Sequence, residues 1–241
     1  MKVTDIINDK INRFASGYVF TYDDFTQQVD KIDALTKALG RMVLEGKIRK
    51  LSPGRFYKPR FSEFGEMPPE TYQIVKDLLE QNGKIIGYLT GYSIYNQLGL
   101  TTQISGIIQI GANEPKKGIT RGLYKIRFVK QANRISKENI PLLCVLDSIN
   151  NIKTIPDASV DKSCKILSVL VANINEISRE PFIRLSKKYK PSTRALTGAI
   201  VENCFGAKVA QSLMSSLNPS STYHFGITEQ ALPNKQKWNI V

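Results

Sequence analysis

The chain has 241 residues, with 34 Lys and Arg against 21 Asp and Glu, a formal net charge of +13. Hydrophobic residues make up 41%, which suits packed cores and excludes a disordered tail, while the positive field favours an anionic partner. Three cysteines (Cys144, Cys164, Cys204) with no Cys-x-x-Cys, and a lone histidine (His224), argue against a zinc site.

No run reaches the length of a membrane span, and the first residues lack the uninterrupted apolar core of a signal peptide. The composition therefore predicts a cytoplasmic protein with reduced thiols, needing no metal or cofactor.

In chain order, the first helix is expected over residues 3–14, with Ile6, Ile7, Ile11 and Phe14 inward. Thr21 reads as an N-cap with Asp24 as its capping-box partner, and Phe20 and Phe25 form a hydrophobic staple. In the next helix Leu35, Leu39, Met42 and Val43 fall at i, i+4, i+7 and i+8 and share one face. Thr36, Lys37, Gly40 and Arg41 then occupy the opposite face, the kind of surface that enters a major groove.

Gly46 suits a left-handed helix end. Strands are expected at 48–51 and 55–58, joined by a Ser52-Pro53-Gly54 turn. Lys47, Arg49, Lys50, Arg55, Lys58 and Arg60 crowd this hairpin against Glu45 alone, so it reads as a wing lying along phosphates. Residues 1–60 are thus expected to form a winged helix-turn-helix.

Residues 61–69 hold the composition of a linker, with prolines and a glycine between periodic segments. A C-terminal domain is expected over 70–241. Its first helix buries Ile74, Val75, Leu78 and Leu79 and stops at Gly83, and a short helix comes next near 90–100. Strands at 105–110 and 123–129 should pair, the second alternating apolar and cationic residues. Lys116, Lys117, Arg121, Lys125 and Arg127 would make that hairpin's outer side a candidate partner-binding surface. Helices are then expected near 140–149, 160–174, 181–187 and 190–203, with another carrying Val209, Leu213 and Leu217. The fold class is α+β: the winged helix, then a mixed helical domain with a small antiparallel sheet.

The residues offer no catalytic constellation. The stretch 111–118, GANEPKKG, has its lysines before the second glycine and lacks the Gly-Lys-Ser/Thr of a phosphate loop. Neither a Gly-x-Ser-x-Gly elbow nor a His-Glu-x-x-His helix occurs. Asp23 and Asp24 suit a helix start, and Asp147 and Asp157 stand alone. The chain reads as a non-enzyme.

Several segments resemble the AbiEi-like antitoxins of abortive-infection toxin–antitoxin systems. They are Gly17-Tyr18-Val19-Phe20-Thr21, Ala38-Leu39 with Arg41-Met42, Gly46-Lys47-Ile48 and Gly54-Arg55-Phe56-Tyr57. Thr90-Gly91, Leu98-Gly99-Leu100-Thr101-Thr102-Gln103, Arg194-Ala195-Leu196 and Leu217-Asn218-Pro219 extend the likeness along the chain. The resemblance implies an N-terminal winged helix that binds the operator of its own operon as double-stranded DNA. It also implies a C-terminal antitoxin domain that counters a nucleotidyltransferase-like toxin. Thr36, Lys37 and Arg41 would meet the major groove and Arg55 and Lys58 the adjacent phosphates. The reading kept beside it is a protein-interaction module whose winged helix docks a protein.

Overall fold

In the computed structural model, which describes residues 3–27 and 32–241, the chain is an α+β protein. It divides into two units, one of Met1–Asp77 with Ile119–Lys125 and one of Leu78–Gly118 with Ile126–Val241.

The first unit contains α1 (Val3–Arg13), β1 (Val19–Thr21), α2 (Ile32–Leu44), β2 (Arg49–Ser52) and β3 (Arg55–Tyr57). Leu35, Ala38, Leu39 and Met42 of α2 are buried with Ile7 and Ile11 of α1, Phe20 of β1, Phe25 and Phe56 of β3. Each large side chain so buried contributes on the order of 2 kcal/mol. The strands form an antiparallel sheet in the order β1-β3-β2, with Phe20 opposite Phe56. Gly54, at φ 71°, supplies the left-handed residue that the turn between β2 and β3 requires.

Thr21 caps as expected: its hydroxyl accepts from the Asp23 N–H at 3.2 Å, and the Asp24 carboxylate accepts from the Thr21 N–H at 2.7 Å. The cap opens a single 3-10 turn, Tyr22–Phe25. The continuation of the expected helix through 28–31 lies outside the described residues.

The segment expected to be a linker carries structure. β4 (Arg60–Ser62) pairs with β5 (Gly65–Met67), placing Arg60 opposite Met67 and Ser62 opposite Gly65. Glu66 fastens this hairpin by accepting from Arg49 Nε at 2.9 Å and from the Tyr57 hydroxyl at 3.1 Å. The composition marked a turn, and a turn serves a hairpin as well as a linker. The boundary between units falls inside α3 (Thr71–Leu79). Arg121 explains why residues 71–77 belong to the first unit. Its guanidinium donates to the Ile74 carbonyl at 2.6 Å and to both Asp77 carboxylate oxygens at 2.6 and 2.7 Å.

In the second unit, a short hairpin of β6 (Glu80–Gln81) and β7 (Lys84–Ile85) turns at Asn82 and Gly83, both at positive φ. The Asn-Gly pair is a hairpin signal that outcompetes the helix-stop reading of Gly83. β8 (Gly87–Thr90) pairs antiparallel with β9 (Ile107–Ala112). β11 (Tyr124–Lys130), which belongs to this unit from Ile126 on, is the neighbour of β9, as expected of the 105–110 and 123–129 strands, while β10 (Ile119–Arg121) belongs to the first unit. The helix expected near 90–100 is one 3-10 turn, Gly91–Ser93.

The rest of the unit is built on α4 (Ile140–Asn150), α5 (Val160–Ala172), α6 (Glu176–Ser186), α7 (Pro191–Phe205) and α8 (Ala207–Met214). α6 starts before Pro181, because the Asn175 side chain caps it by accepting from the Ser178 N–H at 2.9 Å. Leu143, Leu146, Leu167, Leu196 and Ile200 are fully buried at the centre of this unit. Gly198 admits the Trp238 ring, since a Cβ there would lie 2.1 Å from it. The Trp238 indole N–H donates to Glu202 at 2.6 Å.

Asp147, alone in the sequence, is the hub of a buried polar network. Its carboxylate accepts from the hydroxyls of Tyr88 at 2.6 Å, Thr90 at 2.5 Å and Tyr189 at 2.6 Å. Gln131 donates to both tyrosine oxygens, at 2.8 and 3.0 Å. Burial pushes the Asp147 carboxyl up against the opposing pull of the three hydroxyls. Burial and the neighbouring carboxylate also push both phenols up, keeping them donors. The network ties α4 to β8 and to the residues flanking α6.

Asp147→Ala orphans three buried hydroxyls at about 1–3 kcal/mol each, so urea unfolding followed at Trp238 should show a loss of about 3 kcal/mol or more. Tyr189→Phe, which removes one donor, should cost about 1 kcal/mol.

Candidate nucleic-acid interface

Because α2 buries Leu35, Ala38, Leu39 and Met42, its far side faces solvent: Thr36, Lys37, Gly40 and Arg41 are all exposed. Neither the Lys37 nor the Arg41 side chain has a hydrogen-bond or ion-pair partner among the described residues. Leu44, 88% exposed, lies one helical turn beyond Gly40 and Arg41 on the same side. Gly40 has open space where a Cβ would sit, so no packing inside the chain requires a glycine there.

The cations in and around the β2–β3 hairpin divide by partner. Lys50 is exposed, and Lys47 is exposed but paired with Glu45 at 2.8 Å, a surface pair worth little. The others are committed within the first unit. Arg49 holds Glu66 and donates to the Gly46 carbonyl at 2.8 Å. Arg55 pairs with Asp77 at 2.8 Å and Arg60 with Glu70 at 3.5 Å. The Lys58 ammonium donates to the carbonyls of Asn12 and Phe14, each at 2.9 Å, and so closes the C-terminal end of α1. The phosphate role expected of Arg55 and Lys58 thus competes with structural duties visible only once distant segments meet.

The five cations expected to form one partner-binding surface are split between the units. Lys116, Lys117 and Arg127 lie in the second unit, and Arg121 and Lys125 in the first. Lys116, Lys117, Lys125 and Arg127 are exposed, but Arg121 is buried at 4% exposure. Its partner Asp77 feels burial, which raises the carboxyl, but hydrogen bonds from Arg121 and Arg55 outweigh that and hold it below the ordinary aspartate range. Arg121 is therefore a structural cation of the first unit.

Among the described residues no group of three or more His, Cys, Asp or Glu side chains is placed to hold a metal ion. Cys164 is buried, and burial pushes its thiol up to about 11. No helix among the described residues is long and apolar enough to cross a membrane.

A helix with a bare cationic face beside a basic hairpin is the geometry to set against known proteins. Residues 6–177 match the model of DUF6088, described as a family of unknown function, and the chain belongs to that family. The fold is similar to that in the crystal structure of the RV2827C protein from Mycobacterium tuberculosis. That match has a TM-score of 0.59 and 14% identity, and covers 90% of this chain and 82% of that one. No curated protein matches the chain.

Gly40→Ala should raise the stability of the first unit by up to about 1 kcal/mol, since it removes a mid-helix glycine without a clash. Lys58→Ala should lower it by about 1–2 kcal/mol by leaving the end of α1 open. Thermal melts of the two variants, moving in opposite directions, check both assignments.

Proposed function

We propose that this protein binds double-stranded DNA as a transcriptional autorepressor and acts as the antitoxin of a toxin–antitoxin operon. The observation that carries the DNA reading is the outward face of α2, where Thr36, Lys37 and Arg41 stand exposed on a helix held by its apolar underside. The order α1, β1, capped turn, α2, then a Pro-Gly hairpin supports a winged helix, with Lys47 and Lys50 near the wing. The net charge of +13 adds attraction to phosphates. The antitoxin part rests on the resemblance in Leu98-Gly99-Leu100-Thr101-Thr102-Gln103 and the other segments that share it. The toxin it would counter is of the nucleotidyltransferase type.

One observation favours the second reading, in which the same helix docks a protein: Leu44 presents a bare leucine on that face.

The two readings part on salt and sequence. Fluorescence anisotropy with a duplex from upstream of the gene should give binding at least about 10³ tighter than to a scrambled duplex, weakening steeply as salt rises. Arg41→Ala should cost about 1–3 kcal/mol on the cognate duplex and relax base preference, while Lys50→Ala should reduce the salt slope by about one on every duplex. Equal, weak binding to both duplexes would remove the repressor reading.

A further inference from the structure

The second unit carries a groove between α6 and α8 of about 950 Å³. On α6 the lining positions are 176, 179, 180, 183 and 184, with 187 just past its end, and on α8 they are 208, 209, 211 and 212, with 215 and 216 just past its end. Each set recurs at helical spacing, so each helix turns one whole face to the groove. Two such faces side by side present the ridges and grooves into which a third helix packs.

The chemistry of the lining is mixed in a definite way. Ile183, buried, and Val209, half-buried, supply its apolar lining. Arg179 lies over the Phe205 ring at 4.1 Å, and its Nε is buried without a partner. Arg184, Lys187 and Lys208 are exposed along the rims. The Arg194 guanidinium donates to the Ser216 carbonyl, just past the end of α8, at 2.9 Å.

We propose that this groove docks an acidic amphipathic helix of a partner protein. The apolar stripe of such a helix covers Ile183 and Val209, and its carboxylates meet Arg179, Arg184, Lys187 and Lys208. Glu176 and Glu180 also line the groove. A Lys or Arg on the partner helix can pair with them. Four cations against two carboxylates leave the groove net positive, which selects an acidic partner and orients it. The proposal concerns the second unit alone and stands whether or not the first unit binds DNA.

Photo-crosslinking reads the occupant directly. In the full chain, Ser212→p-benzoylphenylalanine places the probe on the exposed α8 side of the groove. Irradiation of cells that make the protein, then mass spectrometry, identifies the crosslinked peptide. The proposal expects a discrete adduct with one polypeptide, whose crosslinked segment is net acidic with apolar residues at helical spacing. It also expects the adduct to fall about tenfold or more when Arg184→Glu and Lys187→Glu are added, with circular dichroism confirming that the variant stays folded. Adducts with nucleic acid, with a second copy of this chain or with segments lacking that pattern would overturn it. So would the absence of any adduct, or an adduct indifferent to the charge reversal.

Discussion

Burial of the Leu35, Ala38, Leu39 and Met42 side of α2 fixes the orientation on which the functional reading depends. These residues share a core with Ile7, Ile11, Phe20, Phe25 and Phe56. Each large side chain there is worth on the order of 2 kcal/mol, against at most about 1 kcal/mol for an exposed ion pair. The apolar side therefore decides which way the helix faces, and Thr36, Lys37 and Arg41 are carried outward as a consequence. Their exposure needs no interaction of their own.

Charge count alone does not define a binding surface. Arg49, Arg55, Arg60 and Lys58 all belong to the basic stretch that suggests a wing, yet each has an acceptor inside the first unit. A cation already satisfied by a carboxylate or a helix-end carbonyl must give up that contact before it neutralises a phosphate, so it adds less to counterion release than Lys37 or Lys50. Arg121 is the extreme case: buried, forked onto Asp77 and bonded to the Ile74 carbonyl, it holds residues 71–77 to its own unit. Removing one partner of such a pair is costly because the other charge stays behind.

What the sequence made legible was local. The 3.6-residue period of α2, the Thr21 cap, the Pro53-Gly54 turn and the alternation of β11 each depend on residues a few positions apart, and each appears in the structure. What escaped depends on pairs far apart in the chain: Arg121 with Asp77, Lys58 with the end of α1, and Asp147 with Tyr88 and Tyr189. Turn chemistry was ambiguous in the same way. Ser62 to Gly65 and Asn82-Gly83 each turn a hairpin, where composition suggested a linker and a helix stop. The groove between α6 and α8 was equally hidden, because α6 begins before the proline that seemed to start it. Its lining appears only when two separated helices are brought side by side.

The central claim is that the solvent side of α2 is the surface that meets duplex DNA. Its most direct test is an amide-resolved NMR titration of the full chain with the upstream duplex at moderate salt. Shift changes and broadening are predicted to concentrate at Thr36, Lys37, Gly40 and Arg41, with a second group at Lys47 and Lys50. Perturbations that leave those amides still while others move would contradict the claim.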